Sequence, residues 1–288
     1  MADPFLINSP TCISFSGGRT SAYMVWRVLQ SNNGLPKDAV ICFANTGKEE
    51  EATLRFVERI GREWGVPIVW VEYRHDKTGF AVVNYETASR NGEPYEAIIR
   101  KRNYLPNPVT RFCTSELKIR PMHKWLRANW QALGGDAANM EWDQMIGIRA
   151  DEHRRVSKIR ARGHSTETVK ETMLLPLADA GVTVREVTAF WESQEFDLEL
   201  PTVNGRTLAG NCDLCFLKPA SQIQSLIAER PQRAEFWVRM ESLRLASKPS
   251  GDTFRNDRPS YAQMVKFAKD QGTLFDPSEQ AIPCFCGE

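Results

Sequence analysis

Residues Ser14 to Ser21 read Ser-Phe-Ser-Gly-Gly-Arg-Thr-Ser, and this stretch constrains the fold of the chain more than any other. The short apolar run Cys12-Ile13 precedes it. Ala22-Tyr23-Met24-Val25-Trp26-Arg27-Val28-Leu29 follows, with apolar residues at helical spacing. The local reading is a strand, a tight glycine turn and a helix. Adjacent glycines, Gly17 and Gly18, let backbone N–H groups come close to an anion. The new helix adds unpaired donors and the positive end of its dipole. Ser14, Ser16, Thr20 and Ser21 bring hydroxyls to the same point, beside Arg19. This is a phosphate or pyrophosphate cradle. It has neither the lysine and spacing of Gly-x-x-x-x-Gly-Lys-Ser/Thr nor a Gly-x-Gly-x-x-Gly fingerprint. An ordinary strand-to-helix turn that binds nothing shares the same local pattern.

Asp38-Ala39-Val40-Ile41-Cys42-Phe43-Ala44 is a continuous apolar run, as in a parallel strand buried on both faces. Asn45-Thr46-Gly47-Lys48-Glu49 ends it, and Thr46 with Glu49 forms a capping-box pattern that opens a helix. Gly65-Val66-Pro67 stops that helix, and Ile68 to Tyr73 reads as a third strand. Strand–helix–strand–helix–strand predicts an α/β fold, a doubly wound parallel sheet with helices on both faces. Ligands of such sheets bind beyond the carboxyl ends of the strands, where both the glycine turn and Asn45-Thr46-Gly47 belong.

His75 to Thr110 reads as an irregular excursion, with Arg100-Lys101-Arg102 and Tyr104 as a local basic patch for a polyanion. A helix is expected from Lys118 to Gln131 and a strand from Asp143 to Ile148, running into a basic loop, Arg149 to Arg155. Another strand is expected over Glu171 to Leu177, and a second capping box at Thr183 and Glu186. The chain then changes character. The expected division is a nucleotide-binding domain over 8–200 and a smaller helical, cysteine-containing region over 201–288, with helical stretches near 221–229, 232–246 and 260–270.

The chain's 288 residues can bury a full core, and 42% hydrophobic with 25% charged residues argues against disorder. Net charge is only +1, so any nucleic-acid contact must come from a local patch. No apolar run reaches membrane-span length and no basic-then-apolar leader is seen, so a cytoplasmic protein without membrane contact is expected. Seven cysteines in a reducing compartment favour metal binding, catalysis or plain burial over disulfides. Cys12 and Cys42 fall in the expected strands and count as small hydrophobes. Cys212-x-x-Cys215 has metal-ligand spacing, which alone is compatible with zinc, an iron–sulfur cluster or a dithiol. A second Cys-x-x-Cys at zinc-ribbon distance is missing.

Ser-Gly-Gly-x-x-Ser resembles the PP-loop of the ATP-pyrophosphatase (adenine nucleotide alpha hydrolase-like) superfamily. Thr46-Gly47, Cys113-x-x-x-x-Lys118, Gly147-x-Arg149, Pro176-Leu177 and Cys212-x-x-Cys215 then follow in the order of the phosphoadenosine phosphosulfate (PAPS) reductase-like family. The resemblance covers roughly residues 12–219. Three departures stand out: Thr20 and Asn45 where the family has Asp, and Phe112 where it has the first of two cysteines.

The resemblance implies that the cradle, Asn45, Thr46, Gly47, Lys118, Arg149 and Arg154 bind the nucleotide: ATP, adenylyl sulfate or PAPS. It implies a [4Fe–4S] cluster on Cys113, Cys212 and Cys215, with zinc as the alternative metal and Cys284 as a candidate fourth ligand. Cys286-Gly287 resembles the terminal Cys-Gly whose thiol is the family's nucleophile, so Cys286 is the catalytic candidate. The expected reaction is thiol-dependent reduction of a nucleotide sulfate to sulfite with a thioredoxin-type reductant. The alternative is ATP-dependent sulfur transfer to DNA, RNA or a small molecule, supplied by a cysteine desulfurase-type donor. A non-enzymatic nucleotide- or cluster-binding sensor is a further alternative.

Overall fold

The three apolar runs form β1 (Thr11–Ser14), β2 (Ala39–Asn45) and β3 (Ile68–Tyr73), paired in parallel. β1 also pairs in parallel with β5 (Trp142–Ile146), and β5 with β6 (Glu171–Leu174). The sheet is not wholly parallel. β4 (Phe80–Val83) adds antiparallel to β3, giving the order β4-β3-β2-β1-β5-β6. These come from a computed structural model that describes residues 2–136, 139–203, 206–245 and 253–271. The fold is α/β: a six-stranded, mostly parallel sheet between helices.

Side-chain alternation on the strands assigns the two faces. Ile13, Ile41, Phe43 and Met145 pack with α1 (Arg19–Ser31), α2 (Glu51–Glu63) and α8 (Val184–Glu192). Cys12, Val40, Cys42 and Val71 face the opposite layer, under Met122 and Leu126 of α5 (Arg120–Asn129). Contact with Cys42 and burial push the Cys12 thiol well up, which suits an inert core residue.

Four expectations are corrected. The stretch read as irregular holds both β4 and α3 (Glu93–Arg102). β4 is a half-exposed edge, with Val82 57% exposed, and so has no buried apolar run to betray it. Thr46 and Glu49 do bond to each other, Thr46 N–H donating to Glu49 Oε2 at 2.9 Å, yet α2 begins only at Glu51. Glu49 is instead drawn into a backbone bridge with Cys212, and Asp213 N–H donates to the Lys48 carbonyl. The basic stretch after β5 is a loop only as far as Glu152 and then becomes α6 (His153–Arg162). β6 stops at Leu174, because Pro176 opens the short helix α7 (Pro176–Asp179).

Beyond a two-stranded ribbon, β7 (Thr202–Val203) with β8 (Arg206–Thr207), lie α9 (Ala220–Glu229), α10 (Glu235–Glu241) and α11 (Tyr261–Gln271). They share a core with Tyr95 and Ile98 of α3 and with Phe112 and Leu117. No helix among the described residues is long and apolar enough to cross a membrane.

Trp237 stands at the centre of this core. Its ring stacks on Tyr261 at 5.3 Å and meets Phe254 and Tyr95 edge-on at 5.1 and 5.8 Å. Its indole N–H is buried without a partner among the described residues. Trp237→Ala is expected to cost about 3–5 kcal/mol. Trp237→Phe should cost less, because it also removes the unpaired donor. Urea midpoints that placed Phe at or below Ala would contradict this packing.

Candidate functional site

From β1 the chain builds β2, β3 and β4 on one side, then crosses to β5 on the other. The switch point therefore opens between the carboxyl ends of β1 and β5, where ligands of such sheets bind. The Ser14–Ser21 turn occupies it. Gly17 has φ +78°, and a Cβ there would stand 2.6 Å from Thr53 Cγ2 and 3.2 Å from the Phe43 ring. Gly17 is therefore required for packing. Gly18, the residue before α1, is extended, and a Cβ on it would meet only Ser16 Oγ at 3.5 Å.

Ser21 ties the turn together. Its hydroxyl accepts from Ser16 N–H at 3.2 Å, lies 2.8 Å from Ser16 Oγ and donates to the Gly18 carbonyl at 3.0 Å. No side chain caps α1, so its first N–H groups remain available to an anion. Gly147, just past β5, lets the strand end touch the start of α1, since a Cβ there would lie 2.9 Å from Ser21 Cα. That contact delivers Arg149, whose Nη1 donates to Thr20 Oγ1 at 3.0 Å.

A cavity of about 430 Å³ runs from Ser14 and Ser16 beneath the helix that contains Lys118. That helix starts as α4 (Phe112–Thr114), widens into a π-turn over Ser115–Ile119 and continues as α5. Pro121 has no N–H to close an ordinary turn, and such bulges recur at functional sites. Lys118 lies in the π-turn and lines the cavity, as do Arg111, Lys158 and Arg162. Gln144 and Glu171 line its buried end. Burial alone would raise the Glu171 carboxyl, but hydrogen bonds from His123, Ser165 and Trp142 hold it below its ordinary value.

Cys113, Cys215 and Cys212 all act electrostatically on one buried phenol. Tyr95 is pushed well up, first by burial and then by Cys113, Cys215 and Cys212 together. Thr46 Oγ1 lies 3.3 Å from Cys212 Sγ. Burial, with Glu49 next, pushes the Cys212 thiol far up, while Lys118 pulls it the other way. Lys118 thus lines the cavity and acts electrostatically on Cys212. Phe112, where the family pattern has a cysteine, is buried against Tyr104 at 5.0 Å. Among the described residues no three His, Cys, Asp or Glu side chains are grouped to hold a single metal ion.

The other expected site residues divide. Asn45 is fully buried, and its amide donates to Glu72 at 2.6 Å and to the Ser89 carbonyl at 2.9 Å. Thr46 and Gly47 serve the Cys212 loop and the start of α3, where a Cβ on Gly47 would lie 3.2 Å from Gly92 Cα. Arg19 turns its guanidinium to Asp197 and to Thr202, at 2.7 Å. Arg154 is exposed, one turn along α6 from Lys158 on the same face. Arg102 pairs with buried Glu116 and Arg100 with Glu96, so the basic patch is divided between partners. Cys284 and Cys286 lie outside the described residues.

Sequence reading missed Arg111, Gln144, Lys158, Arg162 and Glu171 as cavity residues. The spacing of Lys158 and Arg162 on one helical face was the available signal for those two.

No protein-family model matches the chain. Over 229 residues it is 29% identical to an uncharacterized nin region protein of Escherichia phage lambda, covering 73% of this chain and 67% of the phage protein. Over 125 residues it is 27% identical to an uncharacterized protein of Methanocaldococcus jannaschii, covering 43% of this chain and only 21% of the archaeal protein. Among solved structures it is similar to phosphoadenylyl-sulfate (PAPS) reductase from Candida auris in a phosphate complex. That match has TM-score 0.40 and 11% identity, over 66% of this chain and 79% of the other.

The two glycines should respond differently. Gly17→Ala is expected to lose about 1–3 kcal/mol from backbone strain, beyond its clash with Thr53. Gly18→Val should unfold near the wild-type urea midpoint. Equal losses in both variants would show that the turn is not held as described.

Asp213, beside the thiol loop, carries a pH signature. Burial first, and Glu50 second, raise its carboxyl from 3.8 to about 7, outweighing Arg233 and Lys48. A raised folded value means that its contribution to stability is full below the unfolded value and lost as pH rises through about 7. In Asp213→Asn the loss of stability between about pH 5 and pH 8 should therefore be smaller than in wild type. An identical loss would overturn this electrostatic reading.

Proposed function

We propose that this chain is a PAPS reductase-like enzyme of sulfur metabolism that binds an adenine nucleotide with its phosphates on the Ser14–Ser21 cradle. Its proposed reaction is thiol-dependent reduction of adenylyl sulfate or PAPS to sulfite. The observation that carries this reading is the double placement of Lys118, which lines the cavity leading from the cradle and acts electrostatically on Cys212. A phosphate cradle joined by one cation to converging thiols suits chemistry on sulfur attached to a nucleotide phosphate.

A [4Fe–4S] cluster on these cysteines is part of the proposal, although among the described residues the thiols are not drawn together into a metal-holding group. Cys113, Cys215 and Cys212 all act on the Tyr95 phenol, and burial favours the neutral form of Cys212, so ligation needs positive charge brought in beside it. A bound cluster would supply that charge and an iron–thiolate centre next to the nucleotide. Lys118 and Arg149 would hold phosphate or sulfate oxygens, and the backbone donors of α1 would hold the inner phosphate. The Cys286 thiolate would attack the sulfate sulfur, forming an S–S bond as the S–O bond to phosphate breaks. AMP, or its 3′-phosphorylated form, leaves with the electron pair. A thioredoxin-type dithiol then displaces sulfite from Cys286 and ends as a disulfide, so the reductant is named and the electrons balance.

The paired glycines and the uncapped helix support a second reading, an ATP-dependent sulfurtransferase, since that cradle also suits pyrophosphate release from ATP. Titration of anaerobically purified chain with adenylyl sulfate, PAPS and ATP separates the two readings. The reductase reading expects a sulfonucleotide to bind more tightly than ATP, with sulfite formed on adding a dithiol. Preference for ATP without sulfite would favour sulfur transfer. In either case Gly18→Val should abolish nucleotide binding, and Lys118→Ala should weaken it about 10–100-fold, the range for a charge-assisted hydrogen bond. Iron and acid-labile sulfide near four atoms each per chain are expected of the assigned cluster and should be lost in Cys212→Ser. Stoichiometric zinc with no iron would end the cluster assignment.

A further inference from the structure

Gln144 is a polar residue in a place built for apolar ones. It sits on β5 opposite Cys12 of β1, on the sheet face that also carries Val40 and Cys42, and it is 4% exposed. Its amide faces the Cys12 thiol, a weak partner. Otherwise neither Nε2 nor Oε1 has a hydrogen-bond partner among the described residues. A buried amide left unpaired is costly, and Leu or Met would fill the same place without that cost. Gln144 lines the cavity that starts at the cradle, so a ligand held there lies beside it.

The cavity is polarised along its length. Its basic side chains, Lys158, Arg162, Arg111 and Lys118, are exposed or half-buried, whereas Gln144 and Glu171 are buried. Phosphate therefore belongs at the outer end, and the ionised Glu171 repels it from the floor. The floor suits a neutral group that presents a donor and an acceptor side by side. A nucleobase does so, and glutamine matches adenine through the N6 amino donor and the N7 acceptor. The cavity, about 430 Å³, lies within the size range of small-molecule sites.

We infer that Gln144 is a specificity-determining residue that reads the amino-bearing edge of the adenine base, its amide completed by the nucleotide. This rests on the proposed binding of an adenine nucleotide at the cradle. The probes are adenosine 5′-monophosphate, purine riboside 5′-monophosphate, which lacks the exocyclic amino group, and inorganic pyrophosphate. Each is titrated against the full chain and against Gln144→Met and Gln144→Glu. Wild type should prefer adenosine monophosphate over the purine riboside by about tenfold, the size of one net hydrogen bond. Gln144→Met should lose that preference and keep its affinity for pyrophosphate, whereas Gln144→Glu, whose carboxylate still accepts from the amino group, should keep the preference.

Gln144→Met should also melt at or above the wild-type temperature, because it removes an unpaired amide, and this guards against reading misfolding as lost recognition. A preference that survives in folded Gln144→Met overturns the inference and leaves the cradle reading intact. A marked loss of stability in Gln144→Met shows that the amide is structural and also overturns it. Wild type that binds neither pyrophosphate nor nucleotide removes the cradle reading, and this inference with it.

Discussion

A short backbone pairing couples the two halves of the site. Glu49, past the end of β2, bridges to Cys212, and Asp213 donates to the Lys48 carbonyl, so the Cys-x-x-Cys loop is fastened to the loop that leaves the sheet. Side chains reinforce the join. Thr46 reaches Cys212, and Arg233 pairs with both Glu50 and Asp213 at 2.7 and 3.4 Å. Much else follows from that fastening. α2 cannot begin at Gly47, because the backbone is already committed to the cysteine loop. Gly47 must be glycine, because Gly92 and Pro94 of the α3 entry press on it. α3 in turn carries Tyr95 into the core against which Cys113 and Cys215 pack.

The parallel strands were legible in the sequence because burial on both faces leaves continuous apolar runs, and β1, β2 and β3 all carry them. β4 was not, since an edge strand that is half exposed has no such run. The strand, turn and helix were legible from Gly17 and Gly18, but the two glycines do different work, and only the packing of Thr53 and Phe43 against Gly17 separates them. Asn45 and Arg19 show the converse. Each has a residue type suited to a nucleotide, yet each is committed to a carboxylate far away in sequence, Glu72 and Asp197. A side chain's local chemistry says what it can bind, and only the tertiary fold says what already binds it. Gln144 was missed for a related reason: a single polar residue in a strand is silent until its neighbours are known to leave it unpaired.

Lys118 shows how a small backbone irregularity can set the reach of a site. The π-turn over Ser115–Ile119 lies between α4, which carries Cys113, and α5, which packs on the sheet through Met122 and Leu126. Glu116 in the same turn is held from both sides, by Arg102 of α3 and by Arg120 of α5 at 2.6 Å. The widened turn is thus clamped, and Lys118 is presented from a fixed support to the cavity and to Cys212.

The proposed chemistry depends on that arrangement through charge. Burial raises the Cys212 thiol, and Glu49 nearby raises it further, so its surroundings oppose a thiolate. Lys118 works against both, but it also lines the cavity where phosphate or sulfate would sit. Anion binding in the cavity would draw on the positive charge that Lys118 otherwise offers to Cys212. Without another cation at the thiols, occupying the cradle would push Cys212 still further toward its neutral form. Ligation by iron would remove that conflict, because the metal would support the thiolates and leave Lys118 to the nucleotide. The two parts of the proposal, a cluster at the cysteines and an anion at the cradle, therefore require each other electrostatically.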